Sequence, residues 1–415
     1  MIKQYQLLYH MEQLSNLIKK EQYPDISYEQ IEQLLSNDDN IATIILERFK
    51  QIQIDFPHGN YFISDIESKN KLELLKKYIP KWTYERYYIN PSELSIGKRF
   101  PLLYNVQPML FIPNDKEYLE IDNLTCAFTD ESRMSSFRYV ANIETRSPVE
   151  GWFTYSDYTS AAIKDCLDKR VNLNAFNLRE GLYAASKSRD CPYTECAHER
   201  LTFLKSVFDE IYKETHGLEL RIFDLCAGWG DRLLVAIAFG AEYIGVEPNS
   251  KSAPAFNRMI ELLGNKDKQC VLLDSCPTVQ LPSHCIDGYF SVCFLSPPAF
   301  DSEFYSNDPG QSIHMFRNYN EWLIEFLFKT IHLAWDKLAI GGVLVIQSLL
   351  AAKINTYINN MCDGSHYFGA ISIKTGRNRN KPLWIWKKTN NVRKSIDYDT
   401  MLKTFGQEVL DKIIV

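Results

Sequence analysis

The sequence predicts an α/β protein in which a doubly wound parallel sheet ends in an antiparallel hairpin and follows a mixed α+β N-terminal region. From Leu218 onward, short apolar segments alternate with helical ones, which is the pattern of a parallel sheet with crossover helices. Before that point, helical stretches give way to an aromatic-rich, irregular region with strand-like pieces. We expect an accessory region over 1–140 that could recognise a target, a helical lead-in over 141–214, the sheet domain over 215–390 and a tail helix over 391–415.

The elements of the sheet domain follow one another in a regular order. The predicted strands are LRIFDLC, EYIGVE, CVLLD, GYFSVCFL, GVLVIQS, FGAISIKT and KPLWIWKK. The predicted helices are RLLVAIAFG, residues 250–263 and NEWLIEFLFKTIHLAWDKLA. The last two strands can pair as a hairpin across GRNRN.

Composition excludes several classes of protein. A net charge of −6 argues against coating nucleic acid or a membrane by bulk charge. The first residues show no signal-peptide pattern, and no apolar run reaches the roughly 18 residues of a membrane span. Ten cysteines, mostly within apolar strands, fit a reducing, cytoplasmic compartment. Cys191, Cys196 and His198 lie close together, but no second pair at zinc-finger spacing follows, so we expect no metal site.

A glycine-rich turn, DLCAGWGDR, follows the first strand of this domain. Gly228 and Gly230 would let the backbone pass close to a ligand, although the third glycine of a dinucleotide-binding turn is missing. Glu247 ends the next strand, where a carboxylate can accept hydrogen bonds from two ribose hydroxyls, and Asp274 ends the third, within reach of an adenine edge. Together with Asp224, three carboxylates at successive strand ends favour a cofactor that contains a nucleoside.

A second motif, FLSPPAFD, marks the exit of the fourth strand. Proline cannot donate to a sheet ladder, so the pair Pro297 and Pro298 must lie beyond the strand. In an open α/β sheet, ligands bind outside these carboxyl ends. The loop is therefore a candidate site.

These motifs resemble the class I S-adenosylmethionine-dependent methyltransferases, in the branch that methylates exocyclic amino groups of bases. That branch carries Asp, Asn or Ser, then Pro-Pro and an aromatic residue after its fourth strand. The resemblance covers about residues 185 to 390 and implies a Rossmann-like methyltransferase sheet with S-adenosylmethionine as cofactor. It implies that Asp224, Gly228 and Gly230 line the methionine part, Glu247 the ribose and Asp274 the adenine. The neighbouring residues Cys226, Ala227 and Ser275 complete the expected cofactor set.

The chemistry of the loop agrees with this resemblance. An exocyclic amine is a poor nucleophile because its lone pair is delocalised into the ring, so two acceptors must hold its hydrogens. Ser296 Oγ and the carbonyl of Pro297 are the candidate acceptors, and the two prolines stiffen the loop. The base must also leave a duplex and meet an aromatic face.

The expected aromatic residue is replaced by Ala299. Stacking of a base on an aromatic ring is worth about 1–3 kcal/mol. Three alternatives stay open: Phe300 supplies the ring one position later, a larger or differently held methyl acceptor uses the space, or the chain has lost the chemistry and kept the fold.

A basic stretch near the end of the domain, KTGRNRNKPLWIWKKTNNVRK, is a candidate nucleic-acid surface through Arg377, Arg379 and Lys381. Trp384 and Trp386 either contribute base stacking there or pack in the core from one face of the last strand.

The sequence therefore predicts methyl transfer to a base amino group in nucleic acid, with adenine in DNA as the first hypothesis and an RNA base as an alternative. A catalytically silent methyltransferase-like subunit that binds nucleic acid or a partner protein is the alternative from another class. The sequence does not predict the oligomeric state.

Overall fold

A computed structural model describes residues 27–29, 64–79, 109–113, 119–139, 147, 156–173, 177–178, 181, 196–215, 217–374 and 382–414. The chain divides into two compact units. The larger contains Asp65–Thr125, His198–Phe300 and Asp308–Val415, and the smaller contains Met1–Ser64, Cys126–Ala197 and Asp301–Asn307. The domain boundaries given above stay a prediction.

The larger unit contains an eight-stranded sheet. Its strands in chain order are β1 (Met109–Pro113), β3 (Arg221–Asp224), β4 (Glu242–Val246), β5 (Gln269–Leu272), β6 (Phe290–Leu295), β8 (Leu338–Gln347), β9 (Ser365–Lys374) and β10 (Leu383–Lys388). Their spatial order is β5-β4-β3-β6-β8-β10-β9-β1. β10 runs antiparallel to β8 and β9, and the other neighbours are parallel. The doubly wound Rossmann-like sheet and its C-terminal antiparallel hairpin are therefore confirmed.

Helices connect these strands on two faces. The larger unit has α1 (Asp65–Lys77), α2 (Leu119–Asp122), α5 (Leu201–Glu214), α6 (Asp231–Phe239), α7 (Ala253–Leu263), α8 (Ser312–Met315), α9 (Tyr319–Glu321), α10 (Lys329–Lys337), α11 (Ala351–Met361), α12 (Tyr398–Phe405) and α13 (Gln407–Ile413). Because the chain moves one way from β3 to β5 and the other way from β6 to β8, right-handed crossovers place α6 and α7 on the face opposite α10.

The smaller unit is described in less of its length. It contains α3 (Cys126–Arg133), α4 (Ser156–Lys169) and a two-stranded antiparallel sheet of β2 (Phe137–Arg138) and β7 (Glu303–Phe304). The rings of Phe137 and Phe304 stack at 4.8 Å, and Arg138 forms an ion pair with Glu303.

The central strands form from continuous apolar runs, as expected for strands covered on both faces. All six residues of β6 are buried. Trp384 and Trp386 are fully buried side by side on β10, and their indole N–H groups donate to Ser348 O and Asn355 Oδ1, each at 3.1 Å. The core interpretation of these two tryptophans is therefore confirmed.

Three details differ from the sequence-based expectation. The long predicted helix is interrupted by a π-helical segment, Trp322–Phe328, in which every residue except Glu325 is buried. Helix α11 was not predicted, since its asparagine-rich sequence has low helix propensity. The predicted tail helix is two helices, α12 and α13, with Gly406 between them.

None of the described helices has both the length and the apolar character that crossing a bilayer demands.

Candidate functional site

The candidate site lies where the chain leaves β3 and β6. These strands are parallel neighbours, with Asp224 opposite Phe294, and each is followed directly by one of the two motifs. The strand order reverses between them, since β4 flanks β3 and β8 flanks β6. Open α/β sheets bind ligands at such a switch point. The glycine turn and the Pro-Pro loop therefore leave the same edge of the sheet from adjacent strands.

The two glycines of the turn have different surroundings. Gly228 has φ of +59°, and a Cβ added there would meet no atom closer than 3.9 Å. Gly230 has φ of +85°, but its added Cβ would lie 3.0 Å from Met259 Sδ and 3.2 Å from Phe256. Gly228 therefore leaves open space beside the backbone, whereas Gly230 is required by the packing of α7 against the turn.

Asp224 is fully buried at the end of β3, among protein partners. Arg232 Nε and the Tyr243 hydroxyl both donate to Asp224 Oδ2 at 2.7 Å. Arg232 also donates to the carbonyl of Cys226 and lies 4.7 Å from the centre of the Phe294 ring. Burial and the charge of Asp224 raise the pKa of Tyr243 well above its ordinary value, which keeps its hydroxyl a donor. The resemblance implies that Asp224 lines the methionine part of a cofactor; the described contacts of its Oδ2 order the turn.

The residues between Asp224 and Gly228 belong to the same turn. The buried Ala227 donates its N–H to Val246 O at 2.9 Å, which ties the turn to β4. Burial raises the pKa of the Cys226 thiol well above its ordinary value. Cys226 is therefore a neutral thiol in the wall of the turn.

Glu247 follows β4 and faces the turn. Its Oε2 accepts the N–H of Gly228 at 2.9 Å and its Oε1 accepts the N–H of Asn249 at 3.0 Å. Burial raises the pKa of Glu247 to about 7, although both N–H groups favour the ionised form. Since each carboxylate oxygen accepts more than one hydrogen bond, both have capacity left for hydroxyl donors.

The strand end after β5 is in contact with the segment beyond the Pro-Pro loop. Asp274 Oδ1 accepts the N–H of Ser275 at 2.7 Å, and Ser275 Oγ donates to Gly310 O at 2.9 Å. Asp308 accepts both the N–H and the hydroxyl of Ser250, each at 2.9 Å. Residues 308–310 therefore lie against the ends of the strands to which a ribose and an adenine were assigned.

The Pro-Pro loop begins with a hydrogen-bonded serine. Ser296 Oγ donates to Gln347 Oε1 at 3.0 Å, and Gln347 Nε2 donates to Glu199 Oε1 at 2.8 Å. Pro297 and Pro298 follow, both half-buried. The catalytic candidates thus stand at the switch point with a polar chain behind them.

Ala299 is exposed at the position where the resemblance expects an aromatic ring. The half-buried Phe300 packs edge-on against Tyr319 and tilted against Trp322, with centroids 6.3 Å apart in each case. Lys353 Nζ lies 4.9 Å from the centre of the Tyr319 ring. Phe300 therefore belongs to an aromatic cluster anchored in the core.

The remaining predicted site residues fall elsewhere. Arg377, Arg379 and Lys381 lie outside the described residues, so the basic surface stays a prediction. Cys191 is also outside them, and within the described ranges no three His, Cys, Asp or Glu side chains form a group that could hold a metal ion.

Four residues of the site were missed by the sequence analysis. Asp231 and Arg232 follow Gly230 directly, and Gln347 is a polar residue at the carboxyl end of an apolar strand, so their positions offered a signal. Glu199 precedes α5 in a stretch with no recognisable pattern, and its N–H donates to Asp231 Oδ2 at 2.8 Å.

No model of a known protein family matches this chain, and no curated protein matches it. Solved structures to which it is similar include an rRNA methylase from Streptococcus thermophilus, at 13% identity over 44% of this chain and 96% of that one, with a TM-score of 0.31. The hMettl16 catalytic domain in complex with a MAT2A 3′UTR hairpin shares 15% identity over 48% and 74% of the two chains, with a TM-score of 0.35. The N-terminal domain of human METTL16 in complex with SAH shares 16% over 46% and 70%, with a TM-score of 0.31. At these values the similarities carry no argument about function.

The two ends of α6 provide a test of the packing at the turn. Gly230 and Gly240 flank this helix with φ of +85° and +62°, but no atom lies within 4 Å of a Cβ added at Gly240. We expect Gly240→Ala to lower the free energy of unfolding by about 1–2 kcal/mol through backbone strain alone. Gly230→Ala should cost about 1–3 kcal/mol more, because it crowds Met259 and Phe256. Urea unfolding measures both, and equal losses would contradict the packing role.

Proposed function

We propose that this chain is an S-adenosylmethionine-dependent methyltransferase that acts on an exocyclic amino group of a base in nucleic acid. The observation that carries the proposal is the register of β3 and β6, which brings the glycine turn and the Ser-Pro-Pro loop to one edge of the sheet at its switch point. A methyl donor and an acceptor amine bound at these two segments would lie next to each other.

The residues around the turn fit the cofactor. The open space beside Gly228 suits a ligand that approaches the backbone, and the remaining acceptor capacity of Glu247 suits two ribose hydroxyls. Asp274 and Ser275 border the adenine side. The cofactor would supply an electrophilic methyl group. Asp224 we assign to holding the turn through Arg232, because Arg232 and Tyr243 both donate to its Oδ2. Its buried Oδ1 has no hydrogen-bond partner in the part of the chain that the structure describes.

The loop suits an amine acceptor. Ser296 Oγ and the carbonyl of Pro297 would accept the two amine hydrogens and direct the nitrogen lone pair toward the methyl group. The prolines restrict the backbone, so these acceptors are fixed before the substrate binds.

Two alternatives deserve parallel tests. The exposed Ala299 favours the second candidate, a silent subunit that keeps the fold and binds nucleic acid or a partner. The hypothesis of adenine in DNA also stays open, since the described residues contain no feature that separates DNA from RNA.

Labelled S-adenosylmethionine incubated with mixed DNA and RNA, followed by nucleoside analysis, tests the activity. We expect label on a base amino nitrogen, and a rate about tenfold to hundredfold lower for Ser296→Ala, which removes one acceptor. Ser302→Ala, outside the proposed acceptor pair, is the matched control. Cofactor binding without transfer to any nucleic acid would favour the silent subunit instead.

The raised pKa of Glu247 predicts a pH-dependent affinity for the cofactor. Ribose hydroxyls donate best to the ionised carboxylate, and with a pKa of about 7 this form dominates above neutral pH and is lost below it. The affinity for S-adenosylhomocysteine should therefore fall about tenfold from pH 8 to pH 6 through this group. Glu247→Gln should bind more weakly at pH 8 and lose this part of the pH dependence. Calorimetry measures the affinity of both proteins for S-adenosylhomocysteine at each pH. If the affinities of wild type and Glu247→Gln fall in parallel, the ribose assignment is refuted.

The missing aromatic residue gives two opposed expectations. If Phe300 provides the face for the base, Phe300→Leu should reduce methyl transfer, or weaken substrate binding, by about 5- to 150-fold, because base stacking is lost. Leucine is chosen because its aliphatic side chain keeps much of the packing on Trp322. If the chain has instead lost its aromatic residue, Ala299→Tyr should raise or create activity. Methyl transfer by wild type and both variants separates them, with unfolding midpoints as the control for packing.

A further inference from the structure

We propose that Glu199 and Gln347 act as positioning residues that fix the hydrogen-bond polarity of Ser296, so that the loop selects an NH2 group over a carbonyl. This inference rests on the proposed function. It follows from the chain of hydrogen bonds between Ser296 and Gln347, at 3.0 Å, and between Gln347 and Glu199, at 2.8 Å.

The carboxylate sets the direction of this chain. Carboxylate oxygens accept hydrogen bonds, so the amide nitrogen of Gln347 must face Glu199. The amide oxygen then faces Ser296, and the hydroxyl hydrogen of Ser296 is committed to it. The lone pairs of the hydroxyl are what remain for a substrate.

The rest of the loop presents the same polarity. Pro297 and Pro298 have no N–H, so the two residues after Ser296 offer carbonyl oxygens and no backbone donor. An NH2 group could satisfy Ser296 and the Pro297 carbonyl at once, whereas a carbonyl in its place would meet only acceptors. Without Glu199 and Gln347 the hydroxyl could rotate and donate, and this discrimination would weaken.

Glu199 is itself held by the cofactor turn. Its N–H donates at 2.8 Å to Asp231 Oδ2, and Asp231 is the buried first residue of α6, directly after Gly230. The polarity of the Pro-Pro loop therefore depends on the segment that also shapes the cofactor turn.

The charge of Glu199 has a second consequence. Ser296 itself brings no charge to the loop. The carbon–sulfur bond of the methyl donor would break as the carbon–nitrogen bond forms, and the amine nitrogen would be positive until one of its protons leaves to solvent. A carboxylate at the end of a short hydrogen-bond chain stabilises that charge. We therefore expect the loss of Glu199 to lower kcat more than it raises KM for the nucleic acid.

The direct test is binding, with the full chain and no methyl donor. The probes are single-stranded oligonucleotides that differ at one base, in pairs of adenosine against inosine and cytidine against uridine, each of which exchanges NH2 for a carbonyl. For one of the pairs, wild type should prefer the amino member by about tenfold. Gln347→Leu and the near-isosteric Glu199→Gln should both reduce this preference to about twofold, while Gln280→Leu, at an exposed glutamine, should leave it unchanged.

The outcomes separate this inference from the proposed function. Suppose first that wild type transfers methyl groups. If wild type then shows no preference for the amino member, or if the preference persists in both variants, this inference is overturned and the proposed function stands. If wild type binds no member of any pair and methylates nothing, the proposed function fails, and this inference with it.

A rescue experiment distinguishes this positioning role of Glu199 and Gln347 from a purely structural one. Ser296→Asp alone should be poorly active, because its carboxylate faces the amide oxygen of Gln347 while Glu199 holds the amide nitrogen. In the double variant with Ser296→Asp and Glu199→Gln, the Gln347 amide can turn and donate to the new carboxylate. The activity of the double variant should therefore be at least tenfold above that of Ser296→Asp alone. Additive losses in the double variant would overturn the proposed polarity. Calorimetric affinity for S-adenosylhomocysteine checks that each variant keeps its cofactor site.

Discussion

The buried ion pair between Arg232 and Asp224 is the interaction on which the rest of the site depends. Two charges removed from water need further hydrogen bonds to offset the cost of their desolvation. Here Tyr243 donates to Asp224 Oδ2, and the guanidinium also donates to the carbonyl of Cys226 and covers the ring of Phe294. Asp224 Oδ1 is buried without a hydrogen-bond partner among the described residues. Arg232 thus connects the glycine turn after β3 with Phe294 of β6, which lies two residues before Ser296. This contact fixes the positions of the two motifs relative to each other.

Further polar residues lie at the strand ends around this ion pair. The interiors of the central strands are mostly apolar, whereas the strand ends carry Asp224, Glu247, Ser296 and Gln347. In the proposed function this arrangement separates two tasks. The stiff loop and the residues behind it fix which chemical group can approach, whereas base stacking depends on aromatic rings nearby. A change at Ala299 therefore affects how tightly a base is held without changing the polarity that the loop presents.

Much of the fold could be predicted from the sequence, because apolar runs such as that of β6 report a strand covered on both faces. The helices α6 and α7 also follow from period and turn residues. The π-helical segment could not be predicted, since it depends on how much of WLIEFLF the core can receive. The surroundings of the two glycines could not be predicted either: the same Gly-x-Gly pattern has open space beside Gly228 and a neighbouring helix against Gly230.

For the site, the sequence by itself determined which motifs stand at strand ends, and from their residue types it predicted a chemistry. The positions of Glu247 and Ser296 follow from the alternation of local elements, which the hydrophobic period encodes. Only the tertiary structure decided what lies behind them. Gln347 is 51 residues from Ser296, and Glu199 is 148 residues from Gln347. A local pattern records burial and period but not the partner of a side chain across such distances, because that partner is set by strand order and by the register of the sheet.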